Sequence, residues 1–214
     1  MRSNYWIPRF SLVLIALAIG STSLAGDWPQ WGGSPSRAGV SDAKNLPSEW
    51  NAGEFEPHTG RWIDKDAKNI RWVAKLGSTT YGTPIVADGQ IYCATNNGGG
   101  WTKKFPATTD LGCLLCFRLN DGRFLWQLSR EKLSAGNSQD WASQGICSSP
   151  LVEGGKAWIV TNRGEVVCIN AKMNVPGDSG KTPGSGMEAE IVWTFDMIEE
   201  LGVVPHNMTS GSVT

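Results

Sequence analysis

Apolar and polar positions alternate in short bursts between residues 145 and 170, GICSSPLVEGGKAWIVTNRGEVVCIN. That pattern predicts three strands joined by two tight turns. An imperfect copy lies upstream as YGTPIVADGQIYCATNN, is interrupted, and resumes as LLCFRLNDGRFLWQL. The copies align at Pro84-Ile85-Val86 with Pro150-Leu151-Val152, and at Asp88-Gly89 with Gly154-Gly155. They align again at Thr95-Asn96 with Thr161-Asn162, Leu115-Cys116 with Val167-Cys168, and Leu125-Trp126 with Val192-Trp193. The expected strands are residues 83–87, 90–95, 111–119 and 123–128 in the first unit, with 190–196 closing the second. Residues 70–76 alternate as well, Ile70, Trp72, Ala74 and Leu76 against polar neighbours, and predict a further strand. Residues 98–110, opening on three glycines, are expected to form a surface excursion, because no Gly-Lys-Ser/Thr follows and no helical pattern begins there. A second insertion falls between Asn170 and Glu190, and Thr209 to Val213 read as the start of a third unit. Insertions that move from turn to turn while the strands persist mark a repeated supersecondary unit.

The remaining residues frame that repeat. Residues 1–25 carry Arg2 and Arg9, an apolar run from Phe10 to Ile19, and Ser23-Leu24-Ala25, the pattern of a secretory signal peptide cleaved after Ala25. The apolar run is shorter than the ~20 residues of a spanning helix, so no membrane span is expected after leader cleavage. The mature chain is expected in an exported compartment, periplasmic or extracellular. Residues 26–69 show neither period for long. Trp28, Trp31, Trp50 and Trp62 stand among Pro, Gly and Asn, which predicts an extended arm held to a larger body by isolated rings. The chain has 19 basic and 20 acidic residues and no run of more than two neighbouring Lys or Arg, so a nucleic-acid partner is not indicated.

Four strands per unit, repeated with the same turn and Trp positions, predict an all-β fold of the β-propeller kind. The chain resembles the pyrroloquinoline-quinone-like (PQQ-like) repeat propellers. The resemblance rests on Ser148-Ser149-Pro150-Leu151-Val152 as an innermost strand, Val166-Val167-Cys168-Ile169-Asn170 as a third strand, and Gly122-x-x-x-Trp126. The opening, Asp27-Trp28-Pro29-Gln30-Trp31-Gly32-Gly33 with Arg37, looks like the lead of large exported bacterial proteins of this group. It implies four-stranded blades in which Trp72, Trp126 and Trp193 dock against the neighbouring blade. Residues 70–214 then form a partial propeller with blades near 83–128 and 148–196 and a third starting near 209. A ring needs four to eight blades. The expectation is therefore that the chain is an N-terminal piece, with residues 70–76 the outermost strand of a last blade supplied by missing C-terminal blades.

In such a fold, the loops from an outer strand to the next inner strand gather at one mouth of the channel. They contain Ser78 and Tyr81, then Gln144, then His206 and Asn207, and these are the candidate site residues, with Ser78, Gln144 and His206 equivalent by alignment. A quinone dehydrogenase of this family would imply a carboxylate base, calcium, a Trp under the quinone and commonly adjacent cysteines. The chain has no Cys-Cys pair, and no acidic residue occurs in these three loops. No catalytic residue, metal ligand or cofactor is evident, and PQQ with calcium belongs to an alternative in which the chain is the front of a quinone-dependent alcohol or sugar dehydrogenase. Cys113-x-x-Cys116 lacks the following His of a covalent haem site, and residues three apart on a strand face opposite ways. Cys93 and Cys113, on neighbouring strands, are the candidate disulfide. The leading expectation is an exported binding or assembly scaffold, its partners other exported proteins or the missing blades.

Overall fold

The computed structural model describes residues 26–172 and 187–214. The leader and residues 173–186 of the second insertion lie outside the described residues. The strands are β1 (Glu54–Phe55), β2 (Trp62–Ile63), β3 (Ile85–Ala87), β4 (Gln90–Asn96), β5 (Leu111–Arg118), β6 (Phe124–Glu131), β7 (Leu151–Glu153), β8 (Lys156–Val160), β9 (Glu165–Asn170), β10 (Met187–Glu188) and β11 (Ile191–Asp196). A five-residue helix, α1 (Met197–Leu201), follows, its N-terminus capped by Asp196 Oδ1, which accepts from the amides of Ile198 and Glu199.

Two antiparallel meanders result, β3-β4-β5-β6 and β7-β8-β9-β11, and they do not close into a ring. The chain is a partial β-propeller of two blades. The inner hairpins share one cause. Asp88 and Gly89 both have positive φ, as do Gly154 and Gly155, which gives the two-residue turns whose twist matches the flanking strands.

Register gives the two blades one grammar. Ile85 sits opposite Tyr92, Tyr92 opposite Cys116 and Cys116 opposite Trp126. Leu151, Trp158, Cys168 and Trp193 repeat that row. In the first blade the row is sealed, with Ile85, Tyr92, Cys116 and Trp126 all at 0 % exposure. The second blade seals it, since Val152, Ala157, Ile159, Val167 and Ile169 form one cluster with it, joined by Ile146. In the second blade Leu151 and Trp158 are half-buried and Trp193 is 44 % exposed. Ile191, Val192 and Phe195 beside it are open too.

The opposite face of the first blade is covered from within the chain. Trp101 and Leu111 join Cys113, Leu115, Phe117 and Phe124, and Trp72, Ala74 and Leu76 pack against them. Trp101 stacks on Phe124 at 4.7 Å and 14°. The 98–110 insertion is therefore more than the expected surface excursion. It delivers a buried ring, and Asn97 ties the loop by donating to the carbonyls of Pro106 and Thr109 at 2.7 and 3.2 Å.

Residues 70–76 depart from expectation in another way. Trp72, Ala74 and Leu76 are half-buried and Arg71, Val73 and Lys75 exposed, as a strand requires, yet no strand forms there. Alternation reports which face is buried; a ladder needs a partner edge, and no described strand lies alongside. Residues 209–214 likewise form no strand.

The arm contains the β1–β2 hairpin and an Asn51–Lys68 bridge, neither of which the sequence pattern predicted. Its beginning adds to the inner edges of both blades. Trp28 exchanges two backbone hydrogen bonds with Val86 (2.6 and 3.1 Å), and the Pro29 carbonyl accepts from Val152 at 2.8 Å. Of the four arm rings, Trp28 packs against the core and Trp62 donates to the Ala52 carbonyl within the arm. Trp31 and Trp50 are exposed, so they do not serve as anchors.

β10 adds a parallel fifth strand outside β6, Met187 opposite Trp126 and Glu188 opposite Gln127, and so straps the second blade's insertion to the first blade. Burial raises the Glu188 carboxyl above its ordinary value, against the lowering effect of the Ser129 hydroxyl and Lys104.

Two predictions follow from these packings. Trp126→Ala should destabilise the chain by about 3–5 kcal/mol in urea unfolding, the usual cost of emptying a sealed aromatic site. Trp193→Ala, at the same register position, should cost a minor fraction of that, and equal losses would refute the difference in cover. For Glu188, a raised folded value means that the unfolded chain loses the proton first as pH rises, so its contribution to stability declines from pH 4.5 upward to the raised value. The stability of Glu188→Gln relative to the parent should therefore be flat below pH 4.5 and improve above it.

Candidate functional site

The loops 77–82, 132–147 and 202–208 lie at the same end of the blades as the β4–β5 and β8–β9 connections, and polar side chains at the strand ends hold the first two. Thr95, near the end of β4, accepts from the Gly77 amide (3.0 Å) and donates to the Thr79 carbonyl (2.8 Å). Asn96 accepts from the Ser78 amide (3.0 Å) and donates to the Ser78 hydroxyl (2.7 Å) and the Ser143 carbonyl. The Thr95 carbonyl takes the Ile146 amide at 3.1 Å. That approach requires glycine at 145, where φ is +71° and a side-chain carbon would overlap the Thr95 carbonyl.

The same dipeptide recurs as Thr161-Asn162 after β8, elaborated with charge. Asn162 donates to the Glu131 carbonyl (3.1 Å) and to Asp140 (2.8 Å), and Asp140 also holds Lys132 and the Leu133 amide. Thr161 donates to Glu165 at 3.0 Å. Arg130 grips Glu165 through two bonds, 2.9 and 2.6 Å, and Arg163 adds a third at 3.1 Å. Asp140 and Glu165 are buried, so each carboxylate is compensated where it stands. These residues were not among the sequence candidates; the signal available was the repeated Thr-Asn at matching strand ends.

A third recurrence runs along the inner edge. The Thr83 amide donates to the Ser149 hydroxyl at 2.8 Å, and the Ser149 amide donates to the Ser212 hydroxyl at 2.9 Å. Ser212 thus takes the place that Ser149 takes one blade earlier. The third unit is shifted by one residue from the sequence alignment, which matched Gly211 with Ser149.

The sequence candidates do not converge. Ser78 lines a cleft of about 100 Å³ with Asn96, Asp110 and Ser143. Tyr81 lines a separate one of about 320 Å³ with Thr83, Cys147, Ser149 and Ser212, with Arg37 and Trp31 at its side. Gln144 donates weakly within its own loop at 3.5 Å. His206 is exposed, and Asn207 exchanges backbone bonds with Ser138 and Trp141. The Tyr81 cleft is rich in hydroxyls, and no carboxylate or imidazole lines it. It can hydrogen-bond a small polar molecule.

The cysteines are structural. Cys116 joins the core between the blades and Cys113 the opposite cluster, as residues three apart on a strand must. The expected Cys93–Cys113 bridge is absent and both thiols are free. Register explains this: Cys93 faces Leu115 and Cys113 faces Thr95, a diagonal of about 7–8 Å that exceeds ordinary disulfide reach. Burial pushes the Cys93 thiol up to about 12 and raises those of Cys113 and Cys116 as well.

A calcium–quinone pair of the kind the resemblance implies needs six to eight oxygen ligands for the metal. Among the described residues no three His, Cys, Asp or Glu stand together as a metal-binding group, and Asp140 is engaged by Lys132, Leu133 and Asn162.

No family model matches the chain, and no curated protein matches it by sequence. Among solved structures, it is similar to the quinohemoprotein alcohol dehydrogenase from Comamonas testosteroni, at a TM-score of 0.50 and 15 % identity over 87 % of this chain. The quinohemoprotein alcohol dehydrogenase ADHIIG from Pseudomonas putida HK5 aligns at a TM-score of 0.33 and 15 % identity over 79 % of this chain. The chain spans 21 % and 26 % of the lengths of these two proteins. At such identity the first likeness shows the fold.

The Glu165 site yields a direct expectation. Glu165→Gln leaves two guanidinium groups facing a neutral amide, and should cost about 3–5 kcal/mol in urea unfolding, the range for breaking a buried pair. A loss below about 1 kcal/mol, as for exposed pairs, would show that Glu165 does not organise the mouth.

Proposed function

We propose that the chain is an exported propeller module that serves as a binding and assembly scaffold and carries no catalysis of its own. The observation that supports this best is the division of its surface. Asn96, Asp140 and Asn162 at the mouth are engaged in holding loops, while the second blade presents Ile191, Trp193 and Phe195 to solvent. What the chain offers another molecule is sheet face. The partner that fits is a further blade, because the equivalent row of the first blade is sealed by a blade and Ser212 already stands at the inner-edge position of a third. Export remains part of the proposal on the strength of the leader pattern in residues 1–25.

The second reading, the front part of a quinone-dependent alcohol or sugar dehydrogenase, draws on the fold shared with the Comamonas enzyme. It requires that blades outside these residues carry the base, the metal ligands and the quinone platform.

Sedimentation of the 214-residue chain tests the scaffold reading. The chain should self-associate with rising concentration or be cleaved readily by protease, and Trp193→Glu should abolish the association while leaving the circular dichroism unchanged. A monomer that unfolds cooperatively and resists protease would overturn it. For the full-length protein, PQQ with calcium should leave the melting temperature unchanged, and a saturable rise would favour the dehydrogenase.

A further inference from the structure

Just after Trp28 and Pro29 bind the inner edges of the blades, residues 30–39 of the arm close into a compact turn. The Gly33 amide donates to the Gln30 carbonyl at 2.9 Å, Arg37 to Ser34 at 2.8 Å and Gly39 to Gly32 at 3.2 Å. Arg37 lies in the left-handed region, at φ +51°, which a bulky side chain adopts where its surroundings impose it. Gly32 packs directly against it, and a side-chain carbon at position 32 would stand 2.7 Å from the Arg37 Cα. The turn therefore fixes where Arg37 leaves the backbone. Its guanidinium carbon is 5.7 Å from the centroid of the Trp31 ring, and it has no carboxylate partner among the described residues.

Arg37 and Trp31 line the cleft of about 320 Å³ that also holds Tyr81, and no acidic residue lines it. Two serines of this cleft are set as donors. Ser149 is 3 % exposed, its oxygen accepts from the Thr83 amide at 2.8 Å, and no described acceptor takes its proton. Ser212 repeats the arrangement, its oxygen accepting from the Ser149 amide at 2.9 Å. A hydroxyl whose oxygen is engaged by an amide still has its proton to give, and a guanidinium only donates. Arg37, Ser149 and Ser212 together call for an acceptor, and the unpaired charge calls for an anionic one.

The volume calls for more than an ion. At about 30 Å³ per water the cleft has room for about ten waters, the scale of a hexose. Trp31 and Tyr81, both exposed, offer ring surface to the C–H face of such a body. The Tyr81 and Thr83 hydroxyls can each donate and accept, as sugar hydroxyls do. The geometry points to a binding site for an acidic monosaccharide, a hexuronate, with its carboxylate on Arg37, Ser149 and Ser212 and its ring against Trp31. The site rests on the reading of the chain as a binding module and gives that module a small ligand besides its exposed sheet. It uses no residue of that sheet, so the two tests fail independently.

The test titrates the 214-residue chain with galacturonate, galactose, acetate and PQQ, with binding read by calorimetry. Galacturonate should bind at least about tenfold more tightly than galactose, the effect of one hydrogen-bonded charge. Acetate should bind more weakly than galacturonate by at least the same factor, because it cannot use the rings. In Arg37→Gln the preference over galactose should fall below about threefold, and Arg37→Lys, which keeps the charge, should retain more of it. Trp31→Ala should weaken galacturonate and galactose alike. Absence of galacturonate binding to the parent chain, equal binding of galacturonate and galactose, or a preference that survives Arg37→Gln would overturn the inference. So would acetate binding as tightly as galacturonate, since the cleft would then hold an ion alone. PQQ that displaces galacturonate at lower concentration would also overturn it, in favour of the dehydrogenase reading. If galacturonate fails to bind while Trp193→Glu still abolishes self-association, the ligand is lost and the scaffold reading stands.

Discussion

A blade of this kind has two apolar faces, and the packing of one blade's face on the next is the interaction on which the rest of the structure depends. Trp126 shows it at full strength, closed over by the aliphatic face of the second blade. The first blade's other face is closed by improvised means, the Trp101 ring from an insertion and the alternate residues of 70–76. The second blade has only one of its faces closed in this way. The three tryptophans at one repeat position thus record three degrees of cover: Trp126 sealed, Trp72 half-buried against a blade without strands of its own beside it, and Trp193 open. Between Trp126 and Trp193 burial follows position in the stack, since register and residue type are held constant.

The mouth is organised by a second requirement, that buried polar groups find partners. Loops that cross from one blade to the next leave backbone donors and acceptors without a ladder, and Thr95, Asn96 and Asn162 supply missing bonds. Once Asp140 and Glu165 are drawn into that task they are held among cations and amides, a poor setting for proton transfer. The cysteines are spent in the same sense. Burial favours their protonated form and keeps them from reagents. Asp140, Glu165 and Cys116 are employed in structure.

The fold was legible in the sequence where a period of two was anchored by a turn. Pro84-Ile85 before Asp88-Gly89 and Pro150-Leu151 before Gly154-Gly155 fix the inner hairpins, and register then follows across to Trp126 and Trp193. Features without a period were not legible. β10 pairs over only two residues, too few to carry a pattern, and its partner β6 is distant in sequence. Trp101 stands in a loop of Gly, Lys and Pro where nothing marks a ring as buried. The one-residue shift at Ser212 arose because the segment has no large apolar residue to fix its alignment until Val213. At the mouth, the loops were found and their chemistry was not. Ser78, Gln144 and His206 are equivalent in order along the chain, but the bonds that decide what each can do come from strand ends elsewhere.

Residues 70–76 separate two pieces of information that a strand pattern usually delivers together. Side-chain alternation specifies a face, and the face is occupied: Trp72 donates to the Leu119 carbonyl at 2.8 Å and packs beside Phe117. Hydrogen-bonding capacity specifies an edge, and the edge has no strand against it. A segment whose face is satisfied by packing is fixed in position without a ladder beside it. The arm reinforces this. Its hairpin forms the far wall of a groove along the segment, and Arg71 and Lys75 line the near side. The long, weakly patterned arm therefore has a physical role distinct from tethering: it turns one side of a blade into a bounded slot.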